Sequence, residues 1–221
     1  MALAGLFLCL FLVGHLLGNL QLFIPGEAGK LQFNGYAHFM THFPPVKILS
    51  YLTYFSIIFH AVDGLVLTIH NRAARPQGYA YSRPDKNTTW SARNMGILGT
   101  ILLVYIILHM GDFWVKMHWG DLGNDSAGNR DLYTPVVLSF KQWWFTLLYV
   151  LAMFAVGFHL FHGFASGFQS LGMRHPQYTP FIQKFGKGFA VVVPFLFASI
   201  CVYLYVVSNF FPDIIAISWP H

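Results

Sequence analysis

Charged residues are scarce in this sequence. Only 10% of its 221 residues are Asp, Glu, Lys or Arg, whereas 56% are hydrophobic. An ordinary soluble domain has about 25% charged residues, so the composition excludes that class. Cysteine is scarce too, and because Cys9 and Cys201 both lie in apolar runs, we expect small buried side chains rather than a disulfide or a metal site. The sequence also lacks a phosphate-binding loop and a nucleophile–base pairing.

What the sequence does contain is long apolar runs. Runs near 20 residues predict membrane-spanning helices, and five are present, at about residues 2–24, 47–70, 94–117, 138–167 and 187–211. The first lacks a basic n-region and a small-residue cleavage site, so we expect a retained helix rather than a signal peptide. Pro194 is expected to kink the fifth span without ending it. The prediction is one all-α integral membrane domain over residues 1–221.

The basic residues are sorted by loop, so the net charge of +5 does not indicate nucleic-acid binding. The loop after the second span carries one acid, Asp85, and the bases Arg72, Arg75, Arg83, Lys86 and Arg93. The loop after the fourth span carries Arg174, Lys184 and Lys187. The acids of the opposite side are Glu27, Asp121, Asp125, Asp131 and Asp213. Since cytoplasmic loops are enriched in Lys and Arg, loops 71–93 and 168–187 are predicted to be cytoplasmic, with the N-terminus inside and the C-terminus outside.

One histidine lies within each of the first four spans: His15, His60, His109 and His159. At 1.5 Å per residue, His15 and His109 each lie roughly 12 Å from the outer ends of their spans. His60 and His159 lie roughly 15 Å and roughly 12 Å from the inner ends of theirs. The four imidazoles therefore form two layers, each with two histidines from different helices. Two bis-histidine haems would need this arrangement.

Glycines accompany all four histidines, as expected where a flat porphyrin must lie close to the helix that supplies its ligand. They are Gly14, Gly18, Gly64, Gly111 and Gly163. A histidine in a membrane helix also serves as a hydrogen-bonding partner, and small residues occur at helix contacts, but two layers with adjacent glycines fit that alternative less well. A bound zinc would normally bring Cys or carboxylate ligands and would need no glycine clearance.

Four stretches together resemble a known family. They are MALAGLFLCLFLVGHLLGNLQLF (1–23), SYLTYFSIIFHAVDGL (50–65), SARNMGILGT (91–100) and GFHLFHGFASGFQSLG (157–172). They resemble the dihaem cytochrome b membrane-anchor subunit of succinate dehydrogenase/fumarate reductase, respiratory complex II, of the single-anchor, five-helix type. The resemblance implies a four-helix bundle around two stacked b haems, the outer on His15 and His109 and the inner on His60 and His159. His159 is preferred to His162 because it has the His-x-x-x-Gly spacing.

The resemblance also implies partners and a function. An iron–sulfur subunit, which in turn carries a FAD flavoprotein, would bind on the cytoplasmic face of the bacterial cytoplasmic (inner) membrane. Electrons from succinate would pass through these subunits and the haems to quinone, with menaquinone the family-level expectation. The chain would thus serve electron transport in the respiratory chain and the tricarboxylic acid cycle, as the quinone-reactive subunit of the enzyme, with no succinate chemistry of its own.

Further candidate residues are predicted from their type and position. Haem propionates could be held by Trp90, Ser91, Arg93 and His162, because arginine in particular suits carboxylates; Arg93 serves equally well as a positive-inside residue. Asp63 lies within the second span, where an acid is costly and is a functional candidate by default, with a hydrogen bond to a neighbouring helix as the alternative.

The outer loop FNGYAHFMTHFPP, residues 33–45, supplies candidates for quinone binding or proton transfer: Tyr36, His38 and His42. Some members of the family have an acidic residue on this side, and this stretch has none. Aromatic residues also anchor membrane interfaces without a further function.

Two other functions are compatible with the same residues. The chain could be the cytochrome b subunit of another membrane dehydrogenase or of a hydrogenase, with the haems kept and the soluble partner changed. It could also be a haem-free proton-coupled transporter that uses buried His and Asp side chains as a relay.

Overall fold

The computed structural model describes residues 1–74, 86 and 88–217, and over these residues the chain is helical without a β-sheet. The helices in chain order are α1 (Ala2–Asn19), α2 (Gly26–His42), α3 (Pro44–Ala73), α4 (Trp90–Arg93), α5 (Met95–His109), α6 (Lys116–Trp119), α7 (Tyr133–Phe140), α8 (Trp143–Ser170) and α9 (Thr179–Phe210). A π-helical segment, Met110–Val115, joins α5 to α6, and 3-10 turns cover Leu20–Phe23 and Pro212–Ile214.

Five of these segments are long and apolar enough to cross a membrane, as expected for a multi-pass membrane protein. They are Ala2–Phe23, Pro44–Ala73, Met95–Trp119, Trp143–Ser170 and Thr179–Phe210. The fifth begins at Thr179 rather than at about residue 187, because Pro180 in its first turn suits a helix start and the polar turns after it remain helical. The helix also continues through Pro194. The carbonyl of Ala190, which Pro194 leaves without its amide partner, lies against Gly157 of α8.

The fourth span begins at Trp143 rather than at about residue 138. Residues before it form a separate helix, α7, and the chain is extended at Gln142 (φ −79°, ψ 120°). The Thr146 hydroxyl donates a hydrogen bond of 2.9 Å to the Phe140 carbonyl, which stabilises the break. Both sides of the break are apolar, so hydropathy alone did not separate the two helices.

The expected outer loop, residues 33–45, is mostly helical. It forms the second half of α2, which begins directly after Pro25 at Gly26, a glycine with positive φ. The helix ends at His42 because Phe43 precedes a proline and is extended, as residues before proline usually are. α2, with 17 residues, is not among the membrane-crossing helices, and it connects α1 to α3.

The principal core lies where α7, α8 and α9 meet the end of α1. Val137 and Leu204 are almost fully buried there. In the most apolar 18-residue windows of α8 and α9, 39% of the residues are buried, against 11% in α3 and 6% in Met95–Trp119. α3 instead exposes a row of apolar side chains, at Ile48, Leu52, Phe55, Ile58, Val62, Leu65 and Ile69. A row at this three-to-four-residue spacing is one helix face, as expected for a surface in contact with hydrocarbon.

A polar cluster joins α2 to the segment before α7. Asn34, fully buried, donates to carboxylate oxygens of Asp125 and Asp131 and accepts from the Tyr133 amide. Asp131 also forms an ion pair with Lys30, at 2.6 Å. This network fixes α2 across the end of the bundle at which α1 ends.

Candidate functional site

The four helices that carry the membrane histidines form a closed ring. α1 packs against α3 and α8, and α5 packs against the same two helices. α1 therefore faces α5, and α3 faces α8, across the interior. We use outer end for the end of the ring at which α1 ends, and inner end for the end at which it begins.

The histidines meet in two pairs, each across a diagonal of this ring. The ring centroids of His15 and His109 are 5.7 Å apart, with planes at 90°. Those of His60 and His159 are 6.1 Å apart, with planes at 73°. These are the two pairs expected from the depths of the residues in the sequence; that they ligate haem stays a prediction.

The outer pair is enclosed by aromatic side chains. Phe11 stacks on His15 at 5.3 Å, and Phe197 of α9 lies 5.6 Å from the same ring. His109 is contacted by the rings of Tyr105, Phe113 and Tyr149. The Tyr149 hydroxyl also lies 3.4 Å from His109 Nδ1, within hydrogen-bonding distance. These aromatic rings limit the contact of the pair with water.

The inner pair is less enclosed, and one nitrogen of each ring lacks a hydrogen-bond partner. Nδ1 of His60 and Nδ1 of His159 are both buried without a hydrogen bond. A buried polar atom without a partner costs free energy, so these two rings are not held in place by a hydrogen bond from Nδ1 to a neighbouring helix. A β-carbon at Gly5 of α1 would lie 3.1 Å from Cε1 of His60. Gly5 thus admits the His60 ring to the interior.

The helix changes its winding directly after His109. Residues Met110–Val115 are π-helical, so their backbone hydrogen bonds span one residue more than those of an α-helix. Single π turns of this kind occur frequently at functional sites. Phe113 lies within this segment, and its ring is 5.5 Å from that of His109.

The glycines predicted to give haem clearance differ in their surroundings. A β-carbon at Gly14 or Gly111 would meet nothing within 4 Å. One at Gly64 or Gly163 would meet only the end of a methionine side chain, at 3.0 and 3.9 Å respectively. Gly18 is different, because a β-carbon there would collide with the Tyr36 ring. The structure therefore accounts for Gly18 by packing against α2, and it leaves open space at Gly14 and Gly111.

The propionate candidates lie near the inner end but do not converge. Arg93 is exposed and donates to the Thr88 carbonyl, at 3.0 Å. Trp90 is exposed, with its ring against Phe158, whereas Ser91 is buried. His162, one turn beyond His159, lies 3.2 Å from the Ser166 hydroxyl through Nε2. Of the four, only His162 lies on a helix that carries a histidine of the inner pair, α8.

Asp63 has a charged partner. Its Oδ2 lies 2.6 Å from the amino group of Met1, and both groups are about one-third exposed. The carboxylate predicted as a functional candidate is therefore compensated by an ion pair with the start of α1.

The three candidates on α2 are separated by the structure. The Tyr36 ring packs against Gly18, and its hydroxyl lies 3.5 Å from the carbonyl of Gly14, the residue before His15. Burial raises the pKa of Tyr36 above its ordinary value. His38 and His42 are exposed and stack on each other at 4.0 Å. Of the three, Tyr36 is therefore the one that contacts α1, the helix that carries His15.

The residues present fit a haem better than another metal group. Two facing imidazoles are the axial ligands that a porphyrin-bound iron requires, and each pair supplies two, at 5.7 and 6.1 Å between ring centroids. Among the described residues, no group of three or more His, Cys, Asp or Glu side chains gathers as in a structural zinc site.

Sequence reasoning missed Tyr149 and Gly5, although a signal for both exists. Ten residues of helix span about 15 Å, which is comparable to the distance between two layers in a membrane. Tyr149 precedes His159 by that interval, and Gly5 precedes His15 by the same interval. Searching each helix one layer away from its own histidine would have found both.

Comparison of the chain with protein-family models, curated proteins and solved structures found no match.

Proposed function

We propose that this chain is the membrane-anchor cytochrome b subunit of a succinate:quinone oxidoreductase. It binds two haems b, the outer one through His15 and His109 and the inner one through His60 and His159. Haem b, when bound, supplies a carrier that accepts and releases one electron at a time.

The observation that carries the proposal is the meeting of the four imidazoles in two diagonal pairs, at 5.7 and 6.1 Å between ring centroids. Histidines that serve only as helix-to-helix hydrogen-bond partners would have protein acceptors or donors. In contrast, His60 and His159 each keep a buried nitrogen without one.

The chain's own residues give the site its properties. The diagonal helices orient the imidazoles toward the interior, and the aromatic side chains around His15 and His109 limit the access of water. By its resemblance, the chain meets an iron–sulfur subunit at the inner, basic end and quinone within the membrane. Tyr36 is the best placed of the quinone or proton candidates, because it contacts the helix of His15.

A pyridine haemochrome assay on the purified chain tests the proposal. We expect two haems per polypeptide, one haem in His15→Ala and one in His60→Ala, with each substitution removing a different haem. His38→Ala is the matched control, since His38 is exposed and lies outside both pairs, and it should keep both haems.

Other outcomes separate the alternatives. A purified, folded chain without b-type α-band absorption would support the proton-coupled transporter and end the cytochrome proposal. Two haems together with co-purified subunits that do not oxidise succinate would support a cytochrome b of another dehydrogenase or a hydrogenase. One haem, or loss of neither in the histidine variants, would refute the two-pair assignment.

A further inference from the structure

The two histidine pairs differ in the hydrogen-bond partners of their Nδ1 atoms. Nδ1 of His109 has the Tyr149 hydroxyl at 3.4 Å, whereas Nδ1 of His60 and Nδ1 of His159 have no partner. Tyr149 is only 3% exposed, so its hydroxyl has no access to bulk water.

Tyr149 is itself held rigidly. Its ring stacks on Phe145 at 4.6 Å and meets Phe140 edge-on at 5.0 Å. Both phenylalanines are buried. Because the surrounding rings fix the tyrosine, its hydroxyl has a fixed position beside the imidazole.

A neutral imidazole carries its proton on one nitrogen and a lone pair on the other, and the hydrogen bond made by one nitrogen determines which of the two can bind a metal. We propose that Tyr149 is a positioning residue for His109. Its oxygen accepts a hydrogen bond from Nδ1–H, which leaves the lone pair on Nε2 for the haem iron. This inference rests on the proposed function.

Such a hydrogen bond has an electronic consequence. Donation from Nδ1–H makes the imidazole a stronger electron donor at Nε2, and stronger donation favours the oxidised iron. The outer haem should therefore have a lower midpoint potential than it would without Tyr149. The inner haem should not depend on this residue, because its ligand His159 lies about 15 Å further along the same helix.

A redox titration of the α-band in Tyr149→Phe tests this inference. Phenylalanine keeps the ring and removes only the hydroxyl. We expect two bound haems. One midpoint potential should rise by up to 59 mV, which corresponds to a tenfold change in the equilibrium constant of a one-electron couple. The raised component should be the one that is missing from His15→Ala.

Tyr105→Phe is the matched control. The Tyr105 ring lies 5.8 Å from the His109 ring and 5.1 Å from the Tyr149 ring, so this variant removes one hydroxyl from another ring that contacts the same imidazole. It should leave both potentials unchanged.

Three results would overturn the inference while leaving the proposed function intact. They are unchanged potentials in Tyr149→Phe with two haems bound, an equal shift in Tyr105→Phe, and a shift of the inner haem. Loss of the outer haem alone in Tyr149→Phe would support the inference, since His109 would then be misplaced, and loss of both haems would count against it. A wild-type chain without haem would instead refute the proposed function.

Discussion

Asp131 is the outer-end residue whose charge the structure controls most directly. Burial by itself would raise the pKa of this carboxyl group. Hydrogen bonds from Lys30, Thr134 and Asn34 to the carboxylate outweigh that effect and hold its pKa below the ordinary value of 3.8. Because the folded pKa is the lower one, the ionised group stabilises the fold above the unfolded pKa. That stabilisation is lost as pH falls through the folded value.

Asp131→Asn should remove this pH dependence. We expect a lower unfolding temperature near neutral pH, equivalent to about 1–3 kcal/mol, because Lys30 loses its anionic partner. We also expect a smaller further loss than in the wild type between about pH 6 and about pH 3. Thermal unfolding of the detergent-solubilised chain over this range measures both effects.

Asp121→Asn is the control for this prediction, since Asp121 is an exposed carboxylate in the same loop. It should leave the unfolding temperature near neutral pH unchanged. The stabilising effect of the ionised Asp131 would be contradicted if the unfolding temperature of Asp131→Asn fell as steeply with falling pH as that of the wild type.

At the scale of elements, the packing of α8 on α9 depends on small residues at close approaches. A β-carbon at Gly186 of α9 would lie 2.6 Å from the Phe164 ring of α8. That ring has little freedom, because Phe185, Phe189 and Phe168 surround it. The close packing of α8 on α9 at their inner ends therefore requires a glycine at position 186.

Gly186→Ala should destabilise the folded chain by about 1–3 kcal/mol, the usual cost of overpacking a filled interior. Gly188→Ala, on the same helix, is the matched control. A β-carbon there meets nothing within 4 Å, and alanine is a better helix former than glycine by up to about 1 kcal/mol. Thermal unfolding should therefore shift in opposite directions in the two variants, and equal shifts would contradict the close packing.

At the scale of the whole molecule, the two ends of the helix ring differ in charge. The described inner end carries the bases Arg72, Lys86, Arg93, Arg174, Lys184 and Lys187. Arg75, Arg83 and Asp85, which also entered the predicted orientation, lie outside the described residues. At the outer end the bases are balanced by acids: the bases are Lys30, Lys47, Lys116, Arg130 and Lys141, and the acids are Glu27, Asp112, Asp121, Asp125, Asp131 and Asp213. The unbalanced positive charge is thus at the inner end, which we expect to face the cytoplasm.

Cysteine labelling in intact cells tests this orientation. Both native cysteines are buried, so an impermeant thiol reagent should react mainly with introduced sites. Asp121→Cys, at the exposed outer end, should be labelled in intact cells. Lys184→Cys, exposed at the inner end, should be labelled only after the membrane is opened. The reverse pattern would place the basic end outside.

The sequence by itself determined the five membrane-crossing helices and the depths of the four histidines. Each segment that crosses the hydrocarbon must satisfy its own backbone hydrogen bonds, so the length of an apolar run predicts a helix. The rise per residue then gives the depth of each histidine. It also indicated which histidines share a layer, since depth is a property of one helix at a time. The helical state of residues 26–42 was not predicted, because the polar contacts of Asn34 with Asp125 and Asp131 join parts of the chain that are far apart in sequence.

Only the tertiary structure decided which side chains complete the site. The hydroxyl of Tyr149 reaches His109 from another helix, and Gly18 is occupied by the Tyr36 ring rather than left open. Asp63 is paired with the amino group of Met1. These contacts depend on how each helix is rotated about its axis and packed against its neighbours, and hydropathy contains no information on that rotation.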